Sequence, residues 1–102
     1  MSANRLRVVP LPALRSLGPN LKTLDLGENS ISALPDEWLA NFTVLYGLRL
    51  AHNKLTNLTE KAFASHSAAS IKMLNLASNH IKDISLETFA HLRNLEVSTA
   101  IY

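Results

Sequence analysis

The sequence predicts an α/β solenoid, with a curved parallel β-sheet on its concave side and short helical or irregular segments on its convex side. Two observations predict it. Leu21, Leu24, Leu26, Asn29, Ile31 and Leu34 follow the spacing L-x-x-L-x-L-x-x-N-x-L-x-x-L, which returns at Leu45, Leu48, Leu50, Asn53, Leu55 and Leu58 and again at Ile71, Leu74, Leu76, Asn79, Ile81 and Ile84. The asparagines Asn4, Asn29, Asn53 and Asn79 are separated by 25, 24 and 26 residues, and self-similarity at such a step marks stacked structural units.

Taken in order, the chain opens inside a unit. Asn4-Arg-Leu6-Arg-Val-Val9-Pro10 has the spacing of Asn29-Ser-Ile31-Ser-Ala-Leu34-Pro35, so residues 1–20 read as a partial repeat without its strand. Leu11, Leu14 and Leu17 are expected to cover its convex side, and Gly18-Pro19-Asn20 is a turn signal before the next strand. Three full repeats follow at 21–44, 45–70 and 71–94, all within one domain of 102 residues.

In each full repeat, period-2 alternation predicts a short strand: Thr23 to Gly27, Gly47 to Ala51 and Met73 to Ala77, with leucines inward. The inward asparagine ends the strand. Its amide both donates and accepts, so it can satisfy backbone groups of its own turn and of a neighbour. A ladder with neighbours on both sides makes Asn53 the position expected to tolerate alanine least.

The return path runs on the convex side. Pro35-Asp-Glu-Trp38-Leu39-Ala-Asn-Phe42 has proline at the start, acids in the first turn and apolar residues three or four apart, which predicts about one helical turn. Phe63 and Phe89 stand at one common offset, taken earlier by Leu39 beside Trp38, and are expected to close the core. Small polar residues at Ser65 to Ser70 mark a looser loop. Residues 95–102 form a broken repeat: Ser98 and Ala100 stand where leucines are expected, while Leu95, Val97, Thr99 and Ile101 alternate with Glu96, Ser98, Ala100 and Tyr102. A last strand in a different phase and a segment foreign to the array are both open readings.

A repeat exposes an apolar flank unless another stacks on it. Three full units, two broken ones and no recognisable cap predict an uncapped fragment of marginal stability that self-associates through its open ends.

Composition narrows the function classes. With 47% hydrophobic and 18% charged residues the chain is globular, and a net charge of +2 gives no general case for nucleic acid despite a pI near 9.2. Part of the excess is the acid-free start with Arg5, Arg7, Arg15 and Lys22, which the repeat register explains better than a transit peptide does. No apolar run approaches the ~20 residues of a spanning helix, so direct membrane insertion is not expected. The absence of cysteine removes disulfides and thiolate chemistry without fixing the compartment.

Over residues 4 to 95 the chain resembles a leucine-rich repeat protein. The 24-residue spacing with phenylalanine on the convex side is similar to the typical extracellular subclass, including Toll-type receptor ectodomains and matrix adhesion proteins. Leu-Asp-Leu-Gly-Glu-Asn at 24–29 and Gly-Leu-Arg-Leu at 47–50 resemble insect Toll-type repeats most. The resemblance implies a non-enzymatic recognition module at the cell surface or outside the cell, with a protein partner and no cofactor. An intracellular scaffold and a structural spacer are the alternatives.

Candidate binding residues lie on the concave face, where strand positions project from one side: Lys22, Thr23, Asp25, Glu28, Tyr46, Arg49, His52, Lys72, Met73 and Asn75. Tyr46, Arg49 and Met73 are the best anchors, being large or amphipathic, and Asp25 and Arg49 are placed to pair across adjacent strands. Asn41-Phe-Thr43 and Asn57-Leu-Thr59 are N-glycosylation sequons outside these strands. His52, His66, His80 and His91 are spread over strand ends and convex segments, so no zinc site is expected. No nucleophile elbow, phosphate loop or H-E-x-x-H is present, and Asp25 and Glu28 sit on an open surface, so catalysis is not expected.

Overall fold

A computed structural model describes residues 5–58, 60–63, 69–81, 90, 92–95 and 97–99. Four strands, β1 (Thr23–Asp25), β2 (Gly47–Arg49), β3 (Met73–Asn75) and β4 (Val97–Thr99), form one sheet in chain order. All neighbours are parallel, with Thr23 opposite Gly47, Gly47 opposite Met73 and Met73 opposite Val97.

The regular strands are shorter than the alternation predicts, but the ladder continues past them. Leu26 and Glu28 donate backbone N–H groups to Arg49 and Ala51 at 2.9 Å each, and Leu50 and His52 donate to Asn75 and Ala77 at 2.8 and 2.9 Å. Just past β1 and β3 a side chain takes the next backbone donor: Asp25 Oδ1 accepts the Gly27 N–H at 2.9 Å, and Asn75 Oδ1 accepts the Ala77 N–H at 3.0 Å. These are Asx turns, which compete with the sheet for the backbone donor. The chain then turns at Glu28, His52 and Ser78, where φ is 56°, 58° and 57°. Three consecutive repeats thus place a non-glycine residue in the left-handed region just before the buried asparagine.

β4 keeps the phase of the array. Leu74 stands opposite Ser98, so the last strand holds the common register with serine at a leucine position and does not shift by one residue. The turn before it fixes this register: Leu95 donates to the Leu92 carbonyl at 3.2 Å and packs against the core, and Asn94 Nδ2 donates to the Ala69 carbonyl at 2.7 Å. Ser70, which likewise stands just before the first apolar position of its repeat, donates to the Leu45 carbonyl of the repeat before it.

The buried apolar residues form one core that runs from Val9 to Leu92 among the described residues. Asn29, Asn53 and Asn79 are the buried polar residues among those described. Each side-chain oxygen accepts a backbone N–H from the preceding turn: Leu6 to Asn29 at 3.2 Å, Ile31 to Asn53 at 3.1 Å and Leu55 to Asn79 at 3.1 Å. The Nδ2 groups of Asn53 and Asn79 donate backwards too, to Leu26 and Leu50 carbonyls at 2.9 Å each, and to their own turns. Asn4 lies outside the described residues.

α1 (Leu11–Leu17) packs on the core ahead of β1 through Leu14, with Pro12 in its first turn where the missing N–H costs nothing. Leu14 is buried and Leu11 partly so, but Leu17 is 48% exposed, contrary to the expected apolar stripe. A strict three-residue step drifts by about 60° per step on a helix of 3.6 residues per turn, so Leu17 rotates off the face centred on Leu14. Gly18 follows because a Cβ there would come within 2.8 Å of the Asn41 carbonyl oxygen.

The segment from 36 to 41 makes turns in place of the expected helical turn. Glu37 has φ 53°, which breaks any helix, and its N–H donates to the Lys61 carbonyl of the next repeat at 2.9 Å. Trp38, Leu39, Phe42 and Phe63 are all buried. The indole of Trp38 meets Phe42 edge to face, with centroids 6.3 Å apart at 70°, and its buried Nε1 has no hydrogen-bond partner among the described residues. Phe89 and residues 64–68 lie outside the described residues, as do Thr59, His66 and His91.

Candidate functional site

The sheet register determines which side chains share its exposed face. Thr23, Gly47 and Met73 form one row across the strands, and Asp25, Arg49 and Asn75 form the next. Ahead of them, Tyr46 donates its N–H to the Lys22 carbonyl and Lys72 donates to the Tyr46 carbonyl, at 2.8 Å each, which fixes Lys22, Tyr46 and Lys72 side by side at the strand starts. Beyond the strands, the left-handed turns present Glu28 and His52 to solvent.

A shallow depression of about 420 Å³ lies over the centre of this face, bordered by Thr23, Asp25, Tyr46, Gly47, Arg49 and Met73. Gly47 creates it. Where both neighbours in the row carry side chains, Gly47 leaves only backbone as floor, so Tyr46 and Met73, each 44% exposed, stand up as walls. A second depression of about 200 Å³ adjoins it and shares Asp25, Arg49 and Asn75, extending the trough towards Glu28 and His52.

The electrostatics of the face differ from the pairing expected across β1 and β2. Asp25 and Arg49 are opposite each other in register but form no ion pair. The Asp25 carboxylate turns instead to the Gly27 N–H. Lys22, Arg49 and Lys72 are exposed and carry no ion pair among the described residues. The face therefore offers Arg49 and the half-buried Asp25 at the border of a partly apolar notch, Lys22 and Lys72 at the strand starts, and the exposed acid Glu28 at the far end of the trough.

Elsewhere, Asn41 and Asn57 are exposed, and the residues following them, Phe42 and Leu58, are buried. His52 and His80 are exposed, and no group of three or more metal-ligating side chains gathers among the described residues. No helix of the described residues is long and apolar enough to cross a membrane.

Two features escape a reading of the sequence. Gly47 is the missing member of the candidate face; a glycine at an outward strand position between larger residues is the signal that points to it. On the opposite side, Arg15, Asp36 and Trp38 border a depression of about 440 Å³, formed where α1 meets the 36–41 turns. Nothing in the local sequence brings these segments together.

Comparison with known proteins agrees with the geometry. The family model described as leucine rich repeat matches residues 1–55, 19–68 and 43–97. The chain is 32% identical over 92 residues to leucine-rich repeat-containing protein 3B of Danio rerio, covering 90% of this chain and 34% of that protein. It is 40% identical over 74 residues to lumican of Mus musculus, covering 72% of this chain and 21% of lumican. With osteomodulin of Bos taurus the identity is 34% over 93 residues, covering 91% of this chain and 19% of the relative. The chain thus spans between about a fifth and a third of the length of these relatives.

Proposed function

The chain belongs to the leucine-rich repeat family, and on that footing we propose that it is a non-enzymatic protein-recognition module, a segment of an extracellular receptor or adhesion protein that presents its concave sheet to a protein partner. The observation that carries this reading is the trough over Gly47, walled by Tyr46 and Met73 and flanked by Arg49. Large amphipathic side chains around an open notch suit a side chain of another protein, whereas small molecules and reacting groups favour enclosed pockets. Similarity to lumican and osteomodulin supports the extracellular type. The narrower likeness to insect Toll-type repeats is supported by residues 24–29 and 47–50 alone.

The test is binding of the tagged chain to cell surfaces and extracellular matrix, compared with the double variant Tyr46→Ala, Arg49→Glu. Loss of binding with an unchanged circular dichroism spectrum supports recognition by this face, and undiminished binding favours the spacer. Expression in a secreting eukaryotic cell addresses compartment: glycans on the exposed Asn41 or Asn57 support an extracellular protein, and a wholly unmodified product favours the intracellular scaffold. Self-association through the outer strands β1 and β4 belongs to the same reading and is measured by sedimentation velocity.

A further inference from the structure

The geometry points to a definite chemistry for the occupant of the trough: an extended acidic segment of a protein partner, with one aliphatic side chain seated over Gly47. This rests on the recognition reading above and adds what is recognised. Arg49 borders the notch and Lys22 and Lys72 stand on either side of Tyr46 at the strand starts, none of them in an ion pair among the described residues, while the carboxylate that shares the border, Asp25, accepts the Gly27 N–H. Lys22 and Lys72 lie two strands apart, so their Cα atoms are separated by about 10 Å. Carboxylates three residues apart in an extended segment, one on each side of the bound side chain, match that separation at about 3.3 Å per residue.

Apolar walls argue for the aliphatic anchor. Tyr46 and Met73 remain 44% exposed although every inward leucine around them is buried. The gap between them exists because position 47 has no side chain, and a Cβ there would meet only the Thr23 methyl at 3.2 Å. An aliphatic group in this gap loses water on three sides, and the neighbouring cations then select for acidic neighbours and against basic ones.

The proposal is tested with three synthetic pentapeptides measured by fluorescence anisotropy: an acidic one with central leucine, an acidic one with central glycine and a basic one with central leucine. The first should bind at least about tenfold more tightly than either other, since filling an apolar pocket and matching charge each carry discrimination of about that size. Gly47→Val should remove the preference for leucine over glycine while leaving thermal unfolding unchanged or raised, valine being favoured in strands. Met73→Glu, at an exposed wall position, should weaken the acidic leucine peptide without depending on how Gly47→Val folds. Equal binding of the acidic and basic peptides, or of the leucine and glycine peptides, would overturn the proposal. So would heparin binding that competes with the peptide and is untouched by Gly47→Val, because cations alone would then explain the site. If the peptides fail while cell-surface binding still depends on Tyr46 and Arg49, this inference falls and the recognition reading stands.

Discussion

The side-chain oxygen of Asn53 accepts the backbone N–H of Ile31 at 3.1 Å, a bond that reaches back across 22 residues to the preceding repeat. Asn79 makes the equivalent bond to Leu55, also at 3.1 Å. Both amides also donate to a carbonyl of the preceding repeat and to their own turn.

Equal bonding predicts equal cost. Asn53→Ala and Asn79→Ala should each destabilise the chain by about 2–4 kcal/mol, since each strands several buried backbone groups. This differs from a ladder symmetric about Asn53, in which the central position would tolerate alanine least. Urea midpoints of the two variants decide it.

The repeated left-handed turn makes a second prediction. Holding a side-chain-bearing residue there costs about 1–2 kcal/mol, and glycine relieves this at a smaller cost through the unfolded chain. Ser78→Gly should raise stability by about 0.5–1 kcal/mol, and Ser78→Val should lower it by at least about 1 kcal/mol. Thermal unfolding of the pair is the measurement, with φ of 57° at Ser78 as the cause.

Two glycines should respond oppositely to alanine. At Gly18 a Cβ meets the Asn41 carbonyl oxygen at 2.8 Å, a backbone atom that cannot swing away, so Gly18→Ala should cost about 1–3 kcal/mol. At Gly47 the obstacle is the rotatable Thr23 methyl at 3.2 Å, so Gly47→Ala should leave stability within about 0.5 kcal/mol. Denaturant curves of both variants suffice.

Trp38 separates packing from hydrogen bonding. Its ring packs edge to face on Phe42, but its buried Nε1 has no partner among the described residues. Trp38→Phe removes the orphan donor and keeps an aromatic ring, so the change should be within about 1 kcal/mol. Trp38→Ala should cost about 3–5 kcal/mol through the cavity it leaves. Far-ultraviolet circular dichroism follows both, because Trp38 is the sole tryptophan of the chain.

The repeat architecture was readable because it depends on spacing alone: leucines two apart and an asparagine three residues on leave little choice of strand, face and buried amide. Departures occur where a local bond or backbone angle overrides the pattern. Asp25 prefers the Gly27 N–H, two residues away, to Arg49 on the neighbouring strand. Glu37 enters the left-handed region because its N–H is claimed by Lys61, which no short-range rule for residues 35–42 contains. Leu17 fails as a core residue because a helix does not repeat every three residues. The candidate face was legible as rows of outward positions, but the trough depends on the one position with no side chain, and a list of large anchors passes over it.

The asparagine bonds all lean one way, and this gives the array a direction of assembly. A repeat leaving the ribosome finds its predecessor already outside, with the carbonyl and N–H groups its own amide needs, so each newly translated coil can dock on a finished template. Losing a coil from the carboxyl end strands the backbone N–H of the coil before it, as at Leu55 without Asn79, and losing one from the amino end strands the amide oxygen of the coil after it, as at Asn53 without Ile31. Proteolytic trimming should therefore cost stability from either terminus, because each removed coil leaves a buried polar group without its partner.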